Sequence, residues 1–197
     1  MAGETVLRAL RHVWLVLRSL NVPAAVVGGL GMAAWKHVRA TQDIDLLITV
    51  GGDDVGWLLE RLAKAGIRPQ SDPPSVSLGQ LEVTRLLYEP PETFLEIEID
   101  LLIAKSEYYQ RALQRRVAAR LPDLDLEIAV LTCEDAILQK LLAGRIIDRA
   151  DAAALLRANR ESLDLVYISG WTDRLALAVD LAEIWNEAFP GEPLPTH

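Results

Sequence analysis

The sequence predicts an α/β (α+β) fold, a small mixed sheet followed by a helical C-terminal part. Up to about residue 130, short apolar runs bounded by glycine, proline and polar residues alternate with stretches of helical periodicity. From "TCEDAILQKLLAG" (132–144) onward only the helical period continues. Two of the predicted strands carry carboxylates at alternate positions, which a plainly structural buried strand does not.

The elements follow in order. Val6, Leu7, Leu10, Val13, Trp14, Leu17 and Leu20 give one apolar helical face, stopped by Asn21 and Pro23. "AAVVGG" (24–29) reads as a short buried strand, "LGMAAWKHV" (30–38) as a short helix and "DIDLLITV" (43–50) as a strand. "GGDD" (51–54) turns into the helix "VGWLLERLAKAG" (55–66), with Gly66 as its C-terminal cap. "RPQSDPPSVSLGQ" (68–80) is a loop leading into a hairpin whose second strand is "LEVTRLLYE" (81–89). "TFLEIEIDLLIA" (93–104) is a strand, "KSEYYQRALQRRVAAR" (105–120) a helix and "LDLEIAVL" (124–131) a further strand. Breaks in the terminal helices are expected near Gly144, at 159–163 and at Ser169–Gly170. The expected division is a core with its N-terminal helix over 1–130, a helical part over 131–190 and a disordered tail over 191–197.

Composition narrows the function. The chain has 197 residues, 51% of them hydrophobic and 24% charged, enough to bury a sizeable core. A net charge of −8 argues against a broad grip on nucleic acid, which relies on neutralising phosphates. One cysteine, Cys133, leaves no intramolecular disulfide, and three histidines leave no histidine-rich zinc site. "MAGETVLRAL" lacks a continuous apolar run, and no stretch is apolar over 18 residues, so neither a signal peptide nor a membrane span is expected. A cytoplasmic protein is the expectation.

Strand alternation puts Asp43 and Asp45 on one face and Ile44, Leu46 and Ile48 on the other. Likewise Glu96, Glu98 and Asp100 oppose Ile97, Ile99 and Leu101. If the two strands are neighbours, three carboxylates converge and need a cation between them. Magnesium takes oxygen ligands from one or two carboxylates and substrate phosphates, and two such ions support phosphoryl or nucleotidyl transfer. Gly28 and Gly29, between strand and helix, let the backbone approach a phosphate.

Val27-Gly28-Gly29, a spacer, Asp43-Ile44-Asp45-Leu46 and a later acidic strand resemble the nucleotidyltransferase superfamily of the DNA polymerase β type. The wider "GGLGMAAWKHVRATQDIDLLI" and "LTCEDAILQKLLAGRIIDRADAAALL" are similar to the branch of AbiEii-type toxins and related bacterial proteins. The resemblance implies a polymerase β-like fold and transfer of a nucleoside monophosphate from an NTP, with magnesium or manganese, to an acceptor hydroxyl. It implies metal ligation by Asp43, Asp45 and Asp100 (with Glu98 as rival for the third place), Lys140 on the triphosphate, and triphosphate contacts from Gly28 and Gly29. Arg39 and Thr41, close before the Asp pair, read either as phosphate contacts or as an ordinary polar turn. It also implies an RNA acceptor such as tRNA, or a protein, and an antitoxin protein as partner of a toxin. An antibiotic-type small-molecule transferase and a catalytically degenerate protein-binding module are the alternatives.

Other residues have two readings. Arg145, Asp148, Arg149 and Asp151 read as a salt-bridged helix junction, and His12 as a helix-surface residue. Arg111, Arg115, Arg116 and Arg120 form a basic stripe, either a solvated face or an RNA contact. The five tryptophans read as core, with Trp35 near enough to the glycine turn to stack on a base. Thr132 and Asp135 read as a capping box opening the Lys140 helix.

Overall fold

The computed structural model describes residues 2–50, 55–79, 81–120 and 126–195. Its elements are α1 (Ala2–Ser19), β1 (Ala24–Val26), α2 (Gly28–Met32), β2 (Asp43–Ile48), α3 (Val55–Lys64), β3 (Arg68–Pro69), β4 (Ser75–Leu78), β5 (Leu81–Tyr88), β6 (Ile97–Ile103), α4 (Glu107–Arg115), β7 (Val117–Arg120), β8 (Glu127–Val130), α5 (Cys133–Ala143), α6 (Ile146–Asn159), α7 (Leu165–Arg174) and α8 (Ala178–Ala188). A 3-10 turn at Ala33–Trp35 extends α2, and another follows α6.

Among the described residues the strands form one mixed sheet in the order β3-β5-β6-β2-β1-β8-β7, with β4 paired to β5. β2 lies between β6, to which it is parallel, and β1, to which it is antiparallel. Period-two alternation then sorts the side chains onto the two faces. Ile44, Leu46, Ile48, Ile97, Ile99 and Leu101 pack against α1 and α3 in one core. Leu47, Ala25 and Val27 belong to the other core, with Tyr108 and Tyr109 of α4 and the apolar sides of α5 to α8. The carboxylates of β2 and β6 share the face of this second core, under the C-terminal helices.

α5 is buried nearly all round, as expected of a helix enclosed by its neighbours. The Thr132 side chain accepts from the Asp135 N–H, as its cap pattern predicts, and Gly144 ends the helix at φ +66°. Gly66 follows α3 at φ +79°. The β4–β5 hairpin is antiparallel with Leu78 opposite Leu81, and its last strand matches the expected segment. His12 departs from its surface reading: its ring stacks on Tyr88 at 4.4 Å and its Nε2 lies 2.8 Å from the Ala65 carbonyl.

Several boundaries differ from the sequence expectation. Gly28 and Gly29 open α2 rather than closing β1. The segment 68–80 holds β3 and β4 as well as loop. The helix expected over 105–120 stops at Arg115, and Val117–Arg120 pairs with β8. "RRVAAR" favours helix by propensity, with Val117 alone favouring strand, so tertiary pairing overrides the local preference. α7 runs unbroken through Ser169–Gly170, because nothing crowds Gly170 and a helix tolerates one glycine. The "GGDD" turn and the end of the tail lie outside the described residues. No helix among the described residues is long and apolar enough to cross a membrane.

Candidate active site

The register of β2 against β6 sets the geometry. Asp45 lies level with Asp100, and Asp43 with Glu98, on the same sheet face. β1 delivers the glycine turn beside them, because the Val27 N–H donates to the Asp45 carbonyl at 2.9 Å. Gly28 has φ +58°, and a Cβ there would overlap the Asp45 carboxylate. Only glycine satisfies both the backbone conformation and the close approach. Gly31 is held as tightly: a Cβ would stand 2.6 Å from the Val26 carbonyl oxygen. The Gly28→Ala variant is expected to lose about 1–2 kcal/mol from the left-handed backbone alone and to displace the Asp45 carboxylate. Urea unfolding checks the first effect, and a crystal structure of the variant checks the second.

A cleft of about 730 Å³ opens between this sheet face and the α5–α6 pair. Asp43, Asp45, Asp100, Gly28, Lys140 and Arg39, all singled out from the sequence, line it. Thr41 instead donates to the Asp43 carboxylate, and Gly29 is buried against Thr41, whose Cβ a Gly29 Cβ would meet at 2.9 Å. Both therefore act from behind the cleft wall. Glu98, Arg85, Tyr109, Arg145 and Asp148 line it as well, among apolar residues of the sheet and α5. Arg85 was invisible in the sequence: it enters because β5 pairs with β6 so that Arg85 faces Asp100.

Burial pushes the Asp45 carboxyl up to about 7, and the charges of Asp43 and Asp100 add to the shift. Lys140 and Arg145 pull against it. Asp100 is raised as well, by burial first; Arg85 opposes the shift, and Glu98 and Asp43 reinforce it. The Arg85 Nε is 3.7 Å from Asp100 Oδ1, and that oxygen, though buried, has no hydrogen bond among the described residues. These are carboxylates short of positive charge.

Cations stand across the cleft, engaged with a second acidic pair. Lys140 Nζ donates to Asp148 Oδ1 at 2.8 Å and lies 3.2 Å from Asp151 Oδ2. Arg145 donates from Nε to Asp148 Oδ2 at 2.6 Å, and His37 Nε2 is 2.8 Å from Asp151 Oδ1. Arg39 Nε is 3.3 Å from Asp151 Oδ2, an ion pair without hydrogen-bond alignment. Lys140, Asp148 and Asp151 are 6%, 0% and 2% exposed. Burial would raise Asp148, but hydrogen bonds from Arg145 and Lys140 outweigh it and hold its pKa below the usual carboxylate value. The junction expected from spacing exists, and it reaches further: through His37 and Arg39 it ties α5 and α6 to the loop that leads into Asp43. Arg149 belongs elsewhere, paired with Asp180 at 3.0 Å and with Glu183.

The arginine stripe does not form one surface. Arg115 turns inward, with Nε 3.2 Å from Asp135 Oδ2 and its guanidinium over the Tyr167 ring at 3.7 Å. Arg116 caps α4 through the Leu113 carbonyl, and Arg120 sits on β7. The Trp35 indole donates to the Leu131 carbonyl at 2.9 Å, a packing role.

No family model matches the sequence, and no characterised protein matches it at the level of sequence. Solved structures do match in shape. An antigenic nucleotidyltransferase-like protein from Paracoccidioides brasiliensis is 20% identical, with a TM-score of 0.51 over 89% of this chain and 92% of that one. The antibiotic-resistance factor ANT(2'')-Ia, determined in solution, is 16% identical with a TM-score of 0.56 over 89% and 95%. The crystal structure of ANT(2'')-Ia with adenylyl-2''-tobramycin is 14% identical with a TM-score of 0.51 over 92% and 97%. The chain has a nucleotidyltransferase fold. At these identities the likeness is one of fold, and the chemistry has to come from the residues.

On this nucleotidyltransferase fold, the donor set suits a hard divalent cation. The acidic groups facing the cleft offer only oxygens, they crowd one another, and one buried oxygen of Asp100 has no hydrogen bond. Among the described residues no group of three His, Cys, Asp or Glu side chains is close enough together to hold a metal ion unaided. A magnesium ion needs only one or two protein carboxylates beside substrate oxygens.

Proposed function

We propose that the protein is a magnesium-dependent nucleotidyltransferase that moves a nucleoside monophosphate from an NTP to an acceptor hydroxyl. The observation that carries this reading is the convergence of Asp43, Asp45 and Asp100 beside the Gly28 turn, on one face of two parallel strands. Asp43 and Asp45 would hold the metal, with Asp100 as third ligand; Glu98 lies two residues earlier on β6, level with Asp43. When bound, the cation supplies Lewis-acid stabilisation of the phosphoryl oxygens and offsets the crowded carboxylates.

The chain's own residues do the remaining work. Gly28 leaves room at the cleft wall for the Asp45 carboxylate and keeps the backbone accessible. Thr41 fixes the rotamer of Asp43 through its hydrogen bond. Lys140 and Arg145 supply positive charge to the cleft from the Asp148–Asp151 anchor. Asp100, raised by burial, would accept the proton of an acceptor hydroxyl.

For the acceptor, a small molecule is the second reading, favoured over RNA by two observations. The cleft presents Asp43, Asp45, Glu98 and Asp100 on its sheet wall, and the arginine stripe is dispersed. The experiment is incubation with each α-³²P-labelled NTP and Mg²⁺, offering in parallel total bacterial RNA, a protein extract and hydroxyl-bearing small molecules such as aminoglycosides. Label moving into one class, with wild type and not with Asp45→Asn, supports the reading and names the acceptor. No transfer in any arm, together with tight metal-independent binding of another protein, would show a catalytically degenerate protein-binding module on this fold.

A further inference from the structure

The sheet ends at β7, and among the described residues nothing pairs with the outer side of that strand. Every second residue of an antiparallel strand turns its N–H and C=O away from its neighbour, so β7 leaves backbone groups open to another chain. Three of its four residues are exposed, Val117 by 37%. Alongside runs a groove of about 540 Å³ between α1 and the β7–β8 hairpin. Trp14, Ile128 and Val117 give it an apolar floor, while Arg18 and Arg116 stand at its sides. Arg120 closes the strand, level with Glu127, the one carboxylate among the groove-lining residues.

We propose that β7 and this groove dock an extended, acidic segment of a partner protein, which adds to the sheet as a further strand. The charge argument selects the occupant. In a chain of net charge −8, the start of this edge is basic through Arg116 with Arg18 beside it, its end carries Arg120 across from Glu127, and Arg115 is turned inward to Asp135. Pairing of two copies through β7, antiparallel about its centre, would set Arg116 and Arg120 of both chains together at each end. Like charges placed opposite each other on a sheet are destabilising. An incoming strand with acidic ends and apolar alternate residues meets the arginines with its ends and the groove floor with its inward side chains. Backbone hydrogen bonds then supply affinity and the groove supplies choice of sequence. β7 is separated from β2 by β1 and β8, so docking leaves the carboxylate cleft open.

The test uses fluorescence anisotropy with the full chain and a dye-labelled peptide of alternating valine and threonine flanked by glutamates. Two controls replace the glutamates with lysines, or N-methylate alternate residues in both phases. Saturable binding of the acidic peptide is expected, weaker by about tenfold or more for either control. The Arg18→Glu/Arg116→Glu variant, shown by circular dichroism to be folded, should prefer the lysine peptide. The proposal fails if nothing binds, if N-methylation has no effect, or if the variant keeps the wild-type preference. Competition by an RNA oligonucleotide, lost in the same variant, would make the patch a nucleic-acid contact and overturn it. So would self-association of the wild type that the peptide reverses.

Discussion

Asp45→Asn is expected to abolish nucleotidyl transfer while making the folded chain more stable at neutral pH. The activity loss should reach at least about 10²–10³-fold, the scale of removing one preorganised group that stabilises developing charge. The stability gain follows from linkage. The folded-state pKa of Asp45 is raised to about 7, chiefly by burial, while an unfolded aspartate ionises near 3.9. A raised carboxylate costs nothing below about pH 4, where both states are protonated. As pH climbs toward 7 the unfolded chain releases a proton that the folded one retains, so wild-type stability falls through that window. The asparagine variant is spared this loss, by on the order of 2–4 kcal/mol above pH 7. Urea unfolding of both proteins at pH 3.5 and pH 8 checks it: the curves should lie close together at the lower pH and separate at the higher, and Mg²⁺ should narrow the gap by favouring ionised Asp45. A variant equally stable at both pH values but inactive would uphold the chemistry and refute the crowding of the carboxylates.

The second large effect lies across the cleft. Lys140→Met should destabilise the fold by about 3–5 kcal/mol, because it strands two buried carboxylates that lose a shared partner. The lower end applies, since Asp148 keeps Arg145 and Asp151 keeps His37. Adding Asp148→Asn should restore most of the loss, as the uncompensated charge is then gone. Urea midpoints of the single and double variants read this directly. If Lys140→Met melted like the wild type, the ammonium would contribute to ligand binding alone.

Much of this site was legible before any coordinates, and the reason is periodicity. Alternation on "DIDLLI" and "EIEIDLLI" fixes which face each carboxylate takes, whatever the sheet order. The glycine pair was readable too: Gly28 sits at φ +58° against the Asp45 carboxylate, and Gly29 is held by the close approach of Thr41. Pairing between distant segments was not readable. Arg85 reaches Asp100 only through the β5–β6 register, and His37 meets Asp151 across 114 residues. Spacing along a helix exposed Arg145 and Asp148, but not the loop they help secure. The misplaced helix end at Arg115 has the same origin: Val117 to Arg120 becomes strand because β8 offers a ladder, not because local preference demands it.

The position of β2 in the middle of the sheet bears on how the protein is made. Its first partner, β1, precedes it, but its parallel partner β6 is synthesised later and Lys140 later still. β1 likewise waits for β8 to cover its other side. On the ribosome, Asp43 and Asp45 therefore emerge long before the groups that crowd, buffer and enclose them. A nascent chain carries the Gly28 turn without Asp100 or the cationic wall of Lys140 and Arg145, so the two walls of the cleft meet only after α5 and α6 have been made.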